Sequence, residues 1–305
     1  MAQRKLISFD WAMKKLLRSK ANFEILEGFL SELLMEDITI LELLESESNQ
    51  EDARDKFNRV DLKVINDKKE ILIIEVQYEC EFDYLQRILF GTSKVITEHL
   101  YKKEPYSKVA KVISINILYF DLGHGGDYIY HGTTSFRGLH GQDLLQLSDK
   151  QQEMYGTATI HEVFPEYYLV KVNNFDDIAK NTLDEWIYFL KNEEIKTDFK
   201  AKGIKKAKQE LDILKLSDEE RRAYDRYQDD LHYQASMVES SYTVGVMKGI
   251  KQGIEQGIKK GAEQGEKQKA LQIAMNLIGK GVLDSQEIAE ITELSVEEIE
   301  KLRNQ

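Results

Sequence analysis

Apolar positions recur at helical spacing over residues 10–35, with Trp11, Leu16 and Leu17 in a first segment and Phe23, Leu26, Phe29, Leu30, Leu33 and Leu34 in a second. The spacing predicts two helices, each with one apolar face suited to covering a sheet. The period then changes. Val60, Leu62 and Val64 alternate with polar residues, and Ile71 to Ile74 is a continuous apolar run fit for a strand buried on both faces. Strands are therefore expected around 37–46, 58–66 and 70–78. Residues 82–101 return to a helical pattern. Beyond Pro105, Val109 to Phe120 is rich in β-branched and aromatic side chains, Gly123-His124-Gly125-Gly126 marks a turn, and Tyr128–Tyr130 and Tyr167–Val172 read as further strands. Helices packed beside a mixed sheet make an α/β or α+β core over residues 1–175.

From residue 176 the strand signals vanish. Ile178–Leu190 and Ala201–Leu216 read as helices within a helical extension over 176–238. Residues 239–268 then carry a repeat in which Gly245, Gly249, Gly253, Gly257, Gly261 and Gly265 recur every four positions. Four helical steps overshoot a full turn by about 40°, so in a helix these glycines form a slowly winding stripe that permits close packing. Each glycine also costs a helix about 1 kcal/mol against alanine, so a self-associating helix and a linker are both compatible with the repeat. Residues 269–305 form a small acidic tail. Two capping-box patterns, Asp284 with Glu287 and Ser295 with Glu298, predict two short helices joined at Glu293-Leu294. The layout is that of a helix-turn-helix, but Glu287, Glu290, Glu293, Glu297, Glu298 and Glu300 oppose a phosphate backbone, which favours a protein-contact or packing module.

Charge narrows the functional classes. The chain has 305 residues with 42 Lys+Arg against 54 Asp+Glu, a net charge of −12. This balance argues against a general DNA-coating protein, so any nucleic-acid chemistry must rest on local positive charge or a metal. The single cysteine, Cys80, excludes an intrachain disulfide and any cysteine-cluster metal site, fits a reducing compartment, and is expected to be buried or half-buried. No run of about 18 apolar residues exists to span a membrane, and Asp10, Lys14 and Lys15 interrupt any signal-peptide pattern, so a cytoplasmic location is expected. His99, His131 and His140 lack metal-ligand spacing, and Gly123-His124-Gly125-Gly126 lacks the Lys-Ser/Thr of a phosphate loop. Tyr167, Tyr168, Trp186, Tyr188 and Phe189 are expected in the core.

Chemistry concentrates in Asn58-Arg59-Val60-Asp61 and Ile71-Leu72-Ile73-Ile74-Glu75-Val76-Gln77. With a hairpin loop of Asp67-Lys68-Lys69, Asp61 faces Glu75 and Arg59 faces Gln77, so both carboxylates share one face of the sheet. A slip of one residue would send Glu75 to the other face. A carboxylate ending an apolar central strand needs compensation. Two forms are open here. Asp61 and Glu75 can pair with Arg59, Lys63 or Arg87, or they can hold a divalent cation with the backbone carbonyl of Val76. Mg²⁺ so held lowers the pKa of a bound water and offsets charge on a phosphate under attack. Gln77 points to the same face and can orient the water, with Lys63 or Lys14 as a supplementary cation.

The order Arg-Val-Asp, hairpin, Ile-Ile-Glu-Val-Gln, then Phe82-Asp83-Tyr84-Leu85-Gln86-Arg87-Ile88-Leu89-Phe90-Gly91-Thr92-Ser93-Lys94 closely resembles the PD-(D/E)XK nuclease family transposases, also called recombination-promoting nucleases. Phe9-Asp10-Trp11-Ala12-Met13-Lys14-Lys15-Leu16, the glycine repeat and the Ile288–Ser295 tail are also similar to that family, so the resemblance covers most of the chain. It implies a restriction-endonuclease-like mixed sheet flanked by helices with an all-helical C-terminal extension. It further implies Asp61 and Glu75 as metal ligands, Gln77 in the place of the motif lysine, Mg²⁺ or Mn²⁺ as cofactor, and DNA as partner. The expected activity is a Mg²⁺-dependent DNA endonuclease that hydrolyses phosphodiester bonds, linked to recombination or mobile DNA. Val60 stands where the family name has proline, and Gln77 departs from lysine. The alternative is a catalytically weak oligomeric DNA- or protein-binding scaffold, self-associated through Gly245–Gly265. Asp10 and Lys14, four residues apart on one helical face, and Arg87 are candidate auxiliary groups lining the site.

Overall fold

The computed structural model describes residues 6–44, 60–100 and 104–304. In chain order the main elements are α1 (Phe9–Lys15), α2 (Phe23–Leu34), β1 (Ile40–Leu44), β2 (Leu62–Asn66), β3 (Ile71–Gln77), α3 (Tyr84–Glu98), β4 (Val112–Leu118), β5 (Ile129–Gly132), α4 (Asp149–Tyr155), β6 (Glu166–Lys171), α5 (Thr182–Asn192), α6 (Ile204–Glu210), α7 (Asp218–Lys280), α8 (Ser285–Thr292) and α9 (Val296–Arg303). Six strands form one sheet in the order β1-β2-β3-β4-β6-β5. The β3/β4 and β4/β6 pairs are parallel and the others antiparallel, which gives the mixed sheet expected from the sequence. Every residue of β4 is buried, as a central parallel strand covered on both faces requires.

The hairpin between β2 and β3 is set by its turn. Asn66 and Glu70 close it through Asn66 N–H to Glu70 O at 3.1 Å, and Glu70 N–H donates to Asn66 Oδ1 at 2.8 Å. The three loop residues end at Lys69 in the left-handed region, φ 67°, the conformation a three-residue hairpin needs at that position. The resulting pairs, Leu62 with Ile74 and Lys63 with Ile73, are those expected for an Asp67–Lys69 loop. Continued one residue, this register sets Asp61 against Glu75. Arg59, expected opposite Gln77, lies outside the described residues.

Strand periodicity divides the two faces. Leu72, Ile74 and Val76 join a large core formed with α1, α2, α5 and α6, to which Tyr224 of α7 also contributes. Ile71 and Ile73 instead pack under α3 through Val95, while Tyr84 and Ile88 of α3 cover Leu118 and Phe120. Close contact between α2 and the start of α6 depends on Gly28, where a Cβ would run into the Lys202–Gly203 backbone, and on Gly203 at φ 74°. Residues 176–231 therefore pack into the same apolar cluster as the sheet.

The chain divides into two compact units, residues 1–231 and 232–305. In the second, the glycine repeat is helical, within α7, and Ile250, Ile254 and Ile258 are exposed along it. Both capping boxes in the tail form as expected, Glu293 takes the left-handed conformation between α8 and α9, and Ile288 and Ile299 meet Ala274 in a small core. No helix among the described residues is long and apolar enough to cross a membrane. Cys80 departs from expectation. It is exposed because Gln77 ends β3 and the chain leaves the sheet before α3 begins.

Candidate active site

Asp61, just before β2, and Glu75, near the end of β3, come together at one end of the hairpin, Glu75 on the face that α3 covers and Asp61 reached by α1. Asp61 Oδ2 accepts the backbone N–H of Val76 at 2.8 Å, so the carboxylate is fixed by the neighbouring strand. One residue's N–H and C=O leave an extended strand on the same side, so the Val76 carbonyl also faces Asp61. Glu75 side-chain exposure is 13% and that of Asp61 is 19%, so both are partly withdrawn from water.

Each acid meets a cation from a helix. Arg87, near the start of α3, places Nη2 2.5 Å from Glu75 and Nη1 2.6 Å from Glu81. Lys14, in the last turn of α1, lies 3.5 Å from Asp61 and 2.8 Å from Asp10. Asp10 is almost fully buried and also accepts the Tyr227 hydroxyl from α7. Arg18 donates to the Asp61 carbonyl at 3.0 Å. The four-residue spacing of Asp10 and Lys14 pairs them on one face of α1, with Lys14 beside Asp61.

Burial dominates the titration of the two innermost acids. Desolvation pushes Glu75 up to about 7 although Arg87 opposes it, and the charges of Asp61 and Glu81 push in the same direction as burial. Desolvation likewise pushes Asp10 up to about 6 against the pull of Lys14. Negative charge at this corner is under-compensated even with its ion pairs in place.

Gln77 lies on the Glu75 face, and its amide donates to Glu81 Oε1 at 3.0 Å. Lys63 shares the strand face but not the site: its ammonium sits 3.5 Å from Glu98 at the far end of α3. Sequence reasoning missed Glu81, Tyr84 and Asn116. Asn116 is aligned with Glu75 across β3/β4 and accepts the Tyr84 hydroxyl at 3.2 Å, while burial, followed by the nearby Glu75 charge, holds the Tyr84 phenol protonated. Only the parallel pairing reveals this neighbour, since nothing local in Ser114-Ile115-Asn116 announces it.

The oxygen donors available are the carboxylates of Asp61 and Glu75 and the Val76 carbonyl, a set that suits a hard divalent cation completed by water and phosphate oxygens. Among the described residues no three His, Cys, Asp or Glu side chains form a closed cation cage. A cavity of about 900 Å³ lies at the opposite end of the sheet, where Glu166 is already held by Lys111 at 2.6 Å and His131 at 2.8 Å.

The sequence model of the PD-(D/E)XK nuclease family transposases matches residues 7–241, from the strand-covering α1 through the first part of α7. The chain belongs to this family. Membership in the PD-(D/E)XK nuclease family transposases supports a nuclease-like role on mobile DNA, and nucleases of the PD-(D/E)XK type generally use divalent metal ions. No curated protein and no solved structure matches the chain.

Proposed function

We propose that this protein is a Mg²⁺-dependent DNA endonuclease that hydrolyses phosphodiester bonds in the cytoplasm, in the service of recombination or mobile DNA. The observation that carries this reading is the meeting of Asp61 and Glu75 at one strand end, with Asp61 fixed by the Val76 N–H. Asp61, Glu75 and the Val76 carbonyl would hold the cation, Mg²⁺ or Mn²⁺, which supplies an acidified water and neutralises phosphate charge. Burial of Glu75 supports this, because a carboxylate pushed up to about 7 gains from a second positive partner. Gln77 orients the attacking water through its amide and carries no proton of its own. Lys14 and Arg87 hold positive charge beside the two acids, where a phosphate would approach. Lys63 has no part, being engaged with Glu98.

Supercoiled plasmid incubated with full-length protein and Mg²⁺ tests this. Nicking is expected in the wild type and should fall about 100-fold or more in Asp61→Ala and in Glu75→Ala, with circular dichroism unchanged. Gln77→Ala should lose less than Glu75→Ala. Cleavage by both acid variants at the wild-type rate would reject the site.

A second reading has its own support. Arg87 is already paired with Glu75, Lys14 lies beside Asp61, and Gln77 replaces a cationic lysine, so the same core could serve as a catalytically weak scaffold for DNA or protein. In both readings the Gly245–Gly265 segment is the proposed self-association element. Metal-dependent nicking that is lost in Asp61→Ala separates the two.

A further inference from the structure

The segment Lys14-Lys15-Leu16-Leu17-Arg18-Ser19-Lys20 holds four cations in seven residues and no acid, in a chain of net charge −12. It is joined to the candidate site at two points: Lys14 lies 3.5 Å from the Asp61 carboxylate, and Arg18 donates to the Asp61 carbonyl at 3.0 Å. Leu17 is buried in the main core and anchors the turn after α1, while Lys15 and Lys20 are exposed and neither pairs with an acid among the described residues. In a comparable lysine-rich stretch, Lys200 to Lys208, Lys202 pairs with Asp37, Lys206 with Glu210 and Lys208 with the Ile195 carbonyl, while Lys200 and Lys205 are exposed like Lys15 and Lys20 but belong to no segment that touches Asp61.

We propose that this basic edge is the surface that holds the DNA backbone, with Lys15 and Lys20 contacting phosphates beside the bond presented to Asp61 and Glu75. The inference rests on the endonuclease reading and names the contacts by which an acidic protein grips its polyanionic substrate. Positive charge joined directly to Asp61 singles out this edge. Six or more acids in the tail repel phosphate, whereas here the exposed Lys15 and Lys20 lie within two residues of Lys14 and Arg18, which touch Asp61. Arg18 acts as the tie that keeps the edge in register with Asp61.

Binding of full-length protein to a fluorescein-labelled duplex, followed by anisotropy in EDTA over a range of NaCl concentrations, tests the edge without any cleavage. Removal of two phosphate contacts in Lys15→Gln/Lys20→Gln should make the slope of log K against log [NaCl] shallower by about 1.8. In Mg²⁺ the same variant should raise KM for plasmid more than it lowers kcat. Lys200→Gln/Lys205→Gln, with the same change in net charge, should leave the slope at the wild-type value. An unchanged slope in Lys15→Gln/Lys20→Gln, an equal loss in the Lys200→Gln/Lys205→Gln control, or a wild type that fails to bind duplex would each overturn the proposal. The two readings fail separately. A wild type that nicks plasmid while the edge variant keeps its slope sinks only this inference, and binding through the edge without nicking sinks only the endonuclease.

Discussion

Glu75 binds its proton far more tightly than an ordinary carboxyl even with a guanidinium 2.5 Å away, because burial outweighs that single partner. Asp10 repeats the pattern, pushed up to about 6 by burial despite Lys14. Since the folded state raises the Asp10 pKa above its ordinary 3.8, it favours the protonated form. That stability is fully present below about pH 4 and is lost as pH rises through about 6. By neutral pH the loss amounts to about 3 kcal/mol on the scale of 1.36 kcal/mol per pKa unit. Asp10→Asn, which cannot ionise, should therefore gain about that much relative to wild type between about pH 4 and about pH 8. Urea unfolding of both proteins at the two ends of this range measures it, and a stability difference that does not change with pH would contradict the assignment to Asp10.

At the scale of elements, the hairpin and the long helix make opposite use of local sequence. In the hairpin, Lys69 at φ 67° and the Asn66–Glu70 closure set the register that puts Asp61 against Glu75. In α7, the four-residue glycine repeat is helical although each glycine disfavours a helix by about 1 kcal/mol. A Cβ at Gly253 or Gly257 would meet nothing within 4 Å in its own chain. Gly253→Ala/Gly257→Ala should thus stabilise the isolated helix by about 2 kcal/mol. If copies associate along this stripe, the same methyl groups obstruct close approach and lower the mass seen by light scattering. Higher helicity with unchanged mass would remove the stripe from the proposed interface.

Across the whole molecule, the proposed chemistry and the proposed association fall in different units. All of the residues at the acidic corner, from Asp10 to Tyr227, belong to residues 1–231, and the glycine repeat lies in 232–305. Truncation after Leu231 retains Tyr224 and Tyr227, whose hydroxyls meet Ser8 and Asp10. The shortened chain should remain folded, nick plasmid in Mg²⁺, and run as a smaller species than full-length protein. A folded but inactive truncation would tie catalysis to the second unit, and equal association states would show that the repeat does not assemble copies.

The elements themselves were legible in the chain because their causes are local. Period-two and helical spacing mark the strands and helices, and capping boxes mark α8 and α9. Loop length then sets the hairpin register, which brings Asp61 beside the Glu75–Val76 end of β3. Which cation each acid meets could not be read this way, because those partners are delivered by packing. Lys63, two residues from Asp61, goes to Glu98, while Arg87, twelve residues from Glu75, caps it. Asn116 is set level with Glu75 only by a parallel strand pair, and Tyr227 reaches Asp10 from 217 residues away. The alternation of a strand decides the face on which a side chain lies, but the partner on that face depends on which helix the core draws across it, and that is a property of the folded molecule alone.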